Sequence, residues 1–145
     1  VLQTFSKAWA SASVRLGMAF ASEEIIGILN KVKYPYNINK LTQDYALKIL
    51  KNPDVIKNWA KETVSLRSDV VYELKGFKFV EKIYPTDANF VLVKVTDAND
   101  LYTYLTMKGI IVRNRNRVQL CGNCLRITIG TKEENEELFK ALKKY

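Results

Sequence analysis

The sequence predicts an α/β chain in which a long helix leads into a small α+β unit, with helices covering one face of a sheet. Three observations predict it. Between Asn52-Pro53 and Gly76, the residues Val55, Ile56, Trp59, Ala60, Thr63, Leu66, Val70, Val71 and Leu74 recur at helical spacing over about five turns. After Gly76 the periodicity shortens, and Phe77 to Ile83, Asn89 to Val95 and Leu125 to Ile129 read as strands. Thr131, with Glu134 three residues on, makes a capping box that launches a last helix toward Tyr145.

The elements follow in chain order. Val1-Leu2 leads through Thr4, Phe5 and Ser6 to Lys7, and small residues continue to Arg15, a pattern of strand end, turn and helix start. A strand over Val1 to Phe5 would have no neighbour within this sequence. Ser22 caps a helix with Glu23 and Glu24 in its first turn, running toward Lys31 until Pro35 breaks it. Asn37 and Asn39 precede a second helix, in which Leu41, Tyr45, Leu47 (or Lys48) and Leu50 recur, ending near Asn52.

Asn52-Pro53 then supplies a cap and a first-turn proline for the long helix, and Gly76 stops it. Its aliphatic stripe is read as core, with no chemistry attached to Trp59. Tyr84 to Asp87 connects two strands. Asp97 to Lys108 is a helix capped by Thr96 or Asp97 and closed by Gly109. Ile110 to Arg113 is a short strand, and Asn114 to Asn123 is polar and basic enough to be a loop. The order after the long helix is β, β, α, β, β, α.

The 145 residues, 48% of them hydrophobic, suffice for one ordinary domain with a real core. Lys+Arg 23 against Asp+Glu 15 leaves a formal charge of +8, which admits nucleic acid or an anionic ligand as partner. The basic residues are scattered beside acidic ones, however, and only Arg113, Arg115 and Arg117 cluster. No run approaches the roughly 18 apolar residues that span a bilayer, and no signal pattern opens the chain, so no membrane partner and a cytoplasmic location are expected. Cys121 and Cys124 are spaced C-x-x-C. With no histidine and no second pair, they lack a zinc ligand set, and they are read as a turn of reduced thiols.

Chemistry gathers at two places. Lys7 follows a strand end, where burial can lower an amine's pKa and free it for imine formation with an aldehyde; Thr4, Ser6 and Arg15 would supply donors for a phosphate. One lysine plus one phosphate site suggests pyridoxal 5'-phosphate; the alternative is a solvated lysine. In Leu125-Arg-Ile-Thr-Ile129, alternation puts Arg126 and Thr128 on the face opposite Leu125, Ile127 and Ile129. Bordering a cleft, that guanidinium can hold a carboxylate or phosphate by two parallel hydrogen bonds. Otherwise it is an exposed strand arginine.

Thr4-x-Ser6-Lys7 followed by Arg15-x-Gly17 resembles the lysine signature of class I/II, fold-type I, pyridoxal-phosphate-dependent aminotransferases. Tyr34-Pro-Tyr-Asn-Ile-Asn39, Tyr84-Pro-Thr-Asp-Ala-Asn-Phe-Val-Leu-Val93, Gly109-Ile-Ile-Val-Arg-Asn114 and Leu125-Arg-Ile-Thr-Ile-Gly-Thr131, followed by Glu133-Glu-Asn135, come in the order found in the histidinol-phosphate branch of that family. The resemblance covers nearly the whole chain. One departure lies between the lysine and the arginine, where the family carries glycines and this chain reads Ala10-Ser-Ala-Ser13.

The resemblance implies that residues 1–50 are the tail of a large pyridoxal-phosphate-binding domain and that 51–145 are the small C-terminal α+β domain. It implies Lys7 as catalytic residue, Thr4, Ser6, Lys7 and Arg15 as cofactor contacts, and Arg126 with Arg113 as binders of the substrate anion. It further implies a small-molecule amino donor, a 2-oxo acid acceptor and a homodimer. An aminotransferase acting on an aromatic or other amino acid is the alternative within the class. Such enzymes carry a long part before the lysine, so this chain, starting beside Lys7, is expected to be a C-terminal portion and inactive alone. A small basic nucleic-acid binder using Arg113 to Arg117 is the competing reading from another class.

Overall fold

The computed structural model describes residues 1–145. The chain divides into two compact units, Val1–Ala60 and Lys61–Tyr145, with the division falling inside the long helix.

In the first unit, β1 (Leu2–Thr4) pairs antiparallel with β2 (Gly17–Ala19), with Leu2 opposite Ala19 and Thr4 opposite Gly17. The expected strand therefore has a neighbour within this chain. The helix start expected after Lys7 is also absent. In its place stands one 3-10 turn, Ala12–Val14, because Ala10 (φ 49°) and Arg15 (φ 52°) on either side adopt left-handed backbone that ends any α-helix.

Helix α1 is Glu23–Val32; Ser22 occupies its cap position, but the hydroxyl makes no capping bond, leaving Glu23 and Glu24 to offset the helix N-terminus. Helix α2 is Lys40–Leu50, where Asn39 Oδ1 accepts from the Thr42 N–H at 2.8 Å. Helix α3 runs Pro53–Leu74.

The second unit contains the end of α3, β3 (Val80–Tyr84), β4 (Phe90–Val95), α4 (Ala98–Met107), β5 (Arg113–Asn114), β6 (Cys124–Thr128) and α5 (Lys132–Leu142). The strands form one antiparallel sheet in the order β3-β4-β6-β5, with a register irregularity between Val80 and Lys82 on the β3 edge. The expected strand Ile110 to Arg113 pairs only from Arg113 onward. Val112 instead turns into the core and Ile111 stays 67% exposed.

Period-two alternation sends Val91, Val93 and Val95 of β4, with Leu125 and Ile127 of β6, to one face. There they pack with Val70 and Leu74 of α3, Leu101 and Leu105 of α4, and Leu138 and Leu142 of α5. Fifteen buried residues form this cluster, whereas Phe5 and Ala46 are the buried hydrophobics of the first sixty. Since each fully buried aliphatic side chain contributes about 1.5–3 kcal/mol, the second unit carries most of the chain's own stability. The stripe on α3 is core only near its C-terminal end: Val70 and Leu74 are buried, while Val55 and Trp59 are about half exposed.

Short-range chemistry fixes the ends of these elements. Asp97 accepts from the Asn99 and Asp100 N–H groups to cap α4, and Gly109 (φ 78°) closes it. At α5 the reciprocal box is complete: Thr131 Oγ1 accepts from the Glu134 N–H, and Glu134 Oε2 accepts from the Thr131 N–H at 2.8 Å. The returning Glu134 carboxylate lies so close to Gly130 that a Cβ there would sit 2.6 Å from Oε2. Buried Asn135 bonds both the Gly130 N–H and its carbonyl.

The Tyr145 ring packs edge-on to Phe79, and its hydroxyl donates to Asp100 Oδ2 at 2.7 Å. Burial, then the Asp100 hydrogen bond and charge, push this phenol up from 10 to about 12. A raised value in the folded state means that the contact stabilises fully below pH 10 and is lost as pH rises through about 12. Tyrosinate absorbance should therefore show one phenol resisting ionisation at pH 11, and Tyr145→Phe should remove that late step.

Candidate active site

Arg126 sits in the centre of the sheet, on the face away from the helices. Its strand partners put four residues in one row across all four strands: Tyr84 of β3 opposite Leu92 of β4, Leu92 opposite Arg126 of β6, and Arg126 opposite Arg113 of β5. Directly opposed residues share a face, so the two arginines singled out from the sequence are brought side by side. Like charges in that position repel, and an anion between them relieves the repulsion.

The surroundings of Arg126 are more specific than those of a solvated strand arginine. It is half-buried, its guanidinium lies 5.0 Å from the Phe90 ring centroid, and its Nε is buried with no hydrogen-bond partner. A buried N–H left without an acceptor is costly, and a carboxylate or phosphate supplies that acceptor. Phe90 was not among the candidate residues. The signal was present in β4, whose alternation sends Val91 inward and so puts Phe90 and Leu92 on the arginine face.

Near this row, Lys94 pairs with Glu81 at 3.0 Å, and the hydrogen bond with that carboxylate raises the lysine's pKa. Arg67 donates to the Ala88 carbonyl at 2.9 Å, tying the Tyr84–Asn89 connection to α3. Arg115 is half-buried, with its backbone N–H bonded to the Cys124 carbonyl, so the three clustered arginines do not present one uniformly exposed patch.

The other group of candidates lies in the first unit, within the β1–β2 hairpin. The Thr4 hydroxyl accepts from the Ser6 N–H at 3.1 Å and lies 2.8 Å from Ser6 Oγ and 3.2 Å from the Leu16 carbonyl. Thr4 and Ser6 are thus brought together. Arg15 ends the same loop, but its guanidinium folds back to donate to the Ala12 carbonyl at 3.1 Å. Lys7 is exposed in the turn after Ser6, so this hairpin does not bury its amine.

Two buried residues set the shape of the loop that presents the lysine. Phe5 packs its ring 5.2 Å from Trp9, and Ser11 donates to the Trp9 carbonyl at 2.6 Å while lying 3.3 Å from the Tyr45 hydroxyl of α2. Ser11 had no signal beyond a run of small residues. The segment that lacks the family's glycines keeps a glycine-like backbone at Ala10, at a cost of about 1–2 kcal/mol.

The chain belongs to the aminotransferase class I and II family, whose profile matches residues 1–142.

Within it, the histidinol-phosphate aminotransferases of Bacteroides fragilis and Bacteroides thetaiotaomicron are 53% and 54% identical to this chain over 145 residues, all of its length. The chain spans 42% of the length of each of those relatives. The crystal structure of the histidinol-phosphate aminotransferase from Clostridium acetobutylicum shares the fold, with a TM-score of 0.90 at 24% identity, covering 99% of this chain and 44% of that one.

Proposed function

We propose that this chain is the C-terminal part of a pyridoxal 5'-phosphate-dependent histidinol-phosphate aminotransferase. It would exchange an amino group between histidinol phosphate and 2-oxoglutarate, giving imidazole acetol phosphate and glutamate. Residues 1–50 are read as the tail of the large cofactor domain and 51–145 as the small domain. The observation that carries this reading is the half-buried Arg126 with its unpartnered Nε, paired across the sheet with Arg113. Both substrates of the reaction are anionic, and the 53% identity over this whole chain to a relative of that name supports the choice of substrate.

The residues present fit a pyridoxal phosphate group in their donor set: one exposed amine, two hydroxyls within hydrogen-bond distance of each other, and one guanidinium. Bound pyridoxal phosphate supplies the electron sink for breaking the bonds at the substrate's α-carbon. Lys7 supplies the anchoring amine and carries a proton to and from that carbon. Thr4, Ser6 and Arg15 hold the phosphate, Arg15 through guanidinium N–H groups other than the one that donates to the Ala12 carbonyl. Arg126, with Arg113, orients the acidic end of each substrate in turn.

The exposed apolar side chains of residues 1–60, among them Leu2, Val32, Tyr34, Tyr36 and Leu41, support burial of this unit against the rest of a larger homodimeric enzyme. No helix is long and apolar enough to cross a membrane.

The test is an amino-transfer assay on the full-length protein with 2-oxoglutarate as acceptor. The expected result is a kcat/KM for histidinol phosphate at least about 100-fold above that for aromatic amino acids, since a phosphate site left empty forfeits charge-assisted hydrogen bonds. Equal or faster transfer from an aromatic donor would overturn the substrate assignment and leave the class standing.

A further inference from the structure

The C-x-x-C segment lies outside the chemistry described so far. Cys121, Gly122, Asn123 and Cys124 form a β-turn closed by the Cys124 N–H donating to the Cys121 carbonyl at 3.0 Å. Asn123 takes φ 56° at the third position, where a type II turn requires a positive value. Such a turn holds its first and last Cα atoms within about 7 Å, and a disulfide spans Cα atoms about 4.4–6.8 Å apart. Cys124 Sγ folds back over the turn and donates to the Gly122 carbonyl at 3.5 Å. Cys121 is partly exposed and Cys124 is fully buried, and both are free thiols.

We infer that Cys121 and Cys124 form a thiol–disulfide exchange site, in which the accessible Cys121 takes up a small aliphatic disulfide and the buried Cys124 resolves it into an intramolecular bridge. The Cys121 thiolate attacks one sulfur of the small disulfide, forming a mixed disulfide and releasing one thiolate. Cys124, losing its proton to solvent, then attacks the Cys121 sulfur and releases the second thiol. The protein dithiol is oxidised by two electrons, and the small disulfide is reduced to two thiols.

Burial, and then the charge of Cys121, raise the Cys124 thiol, while Tyr84 and Lys94 facing it act in the opposite direction. Attack by Cys124 therefore quickens with rising pH. Asn123 N–H bonds Asn116 Oδ1, and Arg115 N–H bonds the Cys124 carbonyl, so closure stiffens the loop that follows Arg113 and the start of the strand carrying Arg126.

The experiment incubates the folded protein with 2-hydroxyethyl disulfide, quenches it with acid and reads intact mass and alkylatable thiols. Wild type is expected to pass through one adduct and finish with none, having lost two hydrogens and both alkylatable thiols. Cys124→Ser should stop at one stable adduct, and Cys121→Ser should stay unmodified. In parallel, phenylarsine oxide, which bridges two neighbouring thiols, should protect both cysteines of the reduced wild type from alkylation. This second measurement decides the matter if Cys124→Ser fails to fold. A wild-type protein that ends as a mixed disulfide, or whose thiols are both alkylated despite phenylarsine oxide, overturns the inference.

Discussion

Replacing Lys7 with alanine in the full-length protein is expected to abolish amino transfer, lowering kcat/KM by at least about 10⁴-fold. The proposed function puts two tasks on that amine, anchoring an aldehyde and moving a proton, and alanine removes both. Lys7→Arg should fail nearly as badly, because a guanidinium stays protonated at every accessible pH and cannot serve as a base. Lys7 is exposed in this structure, so its own hairpin does not withdraw the amine from water. The checks are initial rates and the visible absorbance of cofactor-loaded protein. A variant with wild-type turnover and absorbance would remove Lys7 from the mechanism.

The second large effect is expected at Arg126. On the proposed role, two charge-assisted hydrogen bonds at about 1.5–3 kcal/mol each give a loss of about 10²–10⁴-fold in kcat/KM for the acidic substrates in Arg126→Gln. Arg126→Lys should recover only part of it, since an ammonium keeps the charge and loses the planar fork. The loss should fall mainly on KM, because the contact is made in ground state and transition state alike. Thermal stability should change little or rise, as the substitution removes the buried Nε that no acceptor satisfies. A variant with unchanged KM for 2-oxoglutarate would return Arg126 to the status of a surface cation.

Much of the second unit was legible because its signals are local. Asp97, Gly109, Thr131 and Glu134 act within one turn of the helix ends they fix, and the alternation in Asn89 to Val95 and Leu125 to Ile129 follows from strand geometry alone. Arg126 was placed on the correct face for the same reason.

What failed to show was non-local. A three-residue strand such as Gly17–Ala19 is too short to display a period, and its partner lies across a loop, so the β1–β2 hairpin had no readable mark. The run Ile110 to Val112 resembles a strand in composition, yet one of its side chains goes inward and its backbone stays outside the ladder. The α3 stripe has the period of a buried helix along its full length, but period alone does not set depth, and Val55 and Trp59 stay about half exposed. The candidate residues split likewise: motif order proposed Lys7 and Arg126, while Phe90 could be read only from the alternation of β4 and Ser11 had no signal beyond a run of small residues.

The two borders of the four-stranded sheet differ from its middle in a way that governs self-association. One border is interrupted between Val80 and Lys82 and carries the Glu81–Lys94 pair; the other is only two residues long and begins with a guanidinium. Neither offers the long, flat, uncharged rim that a further β-segment needs as a template, so growth of this sheet by strand addition is blocked at both ends.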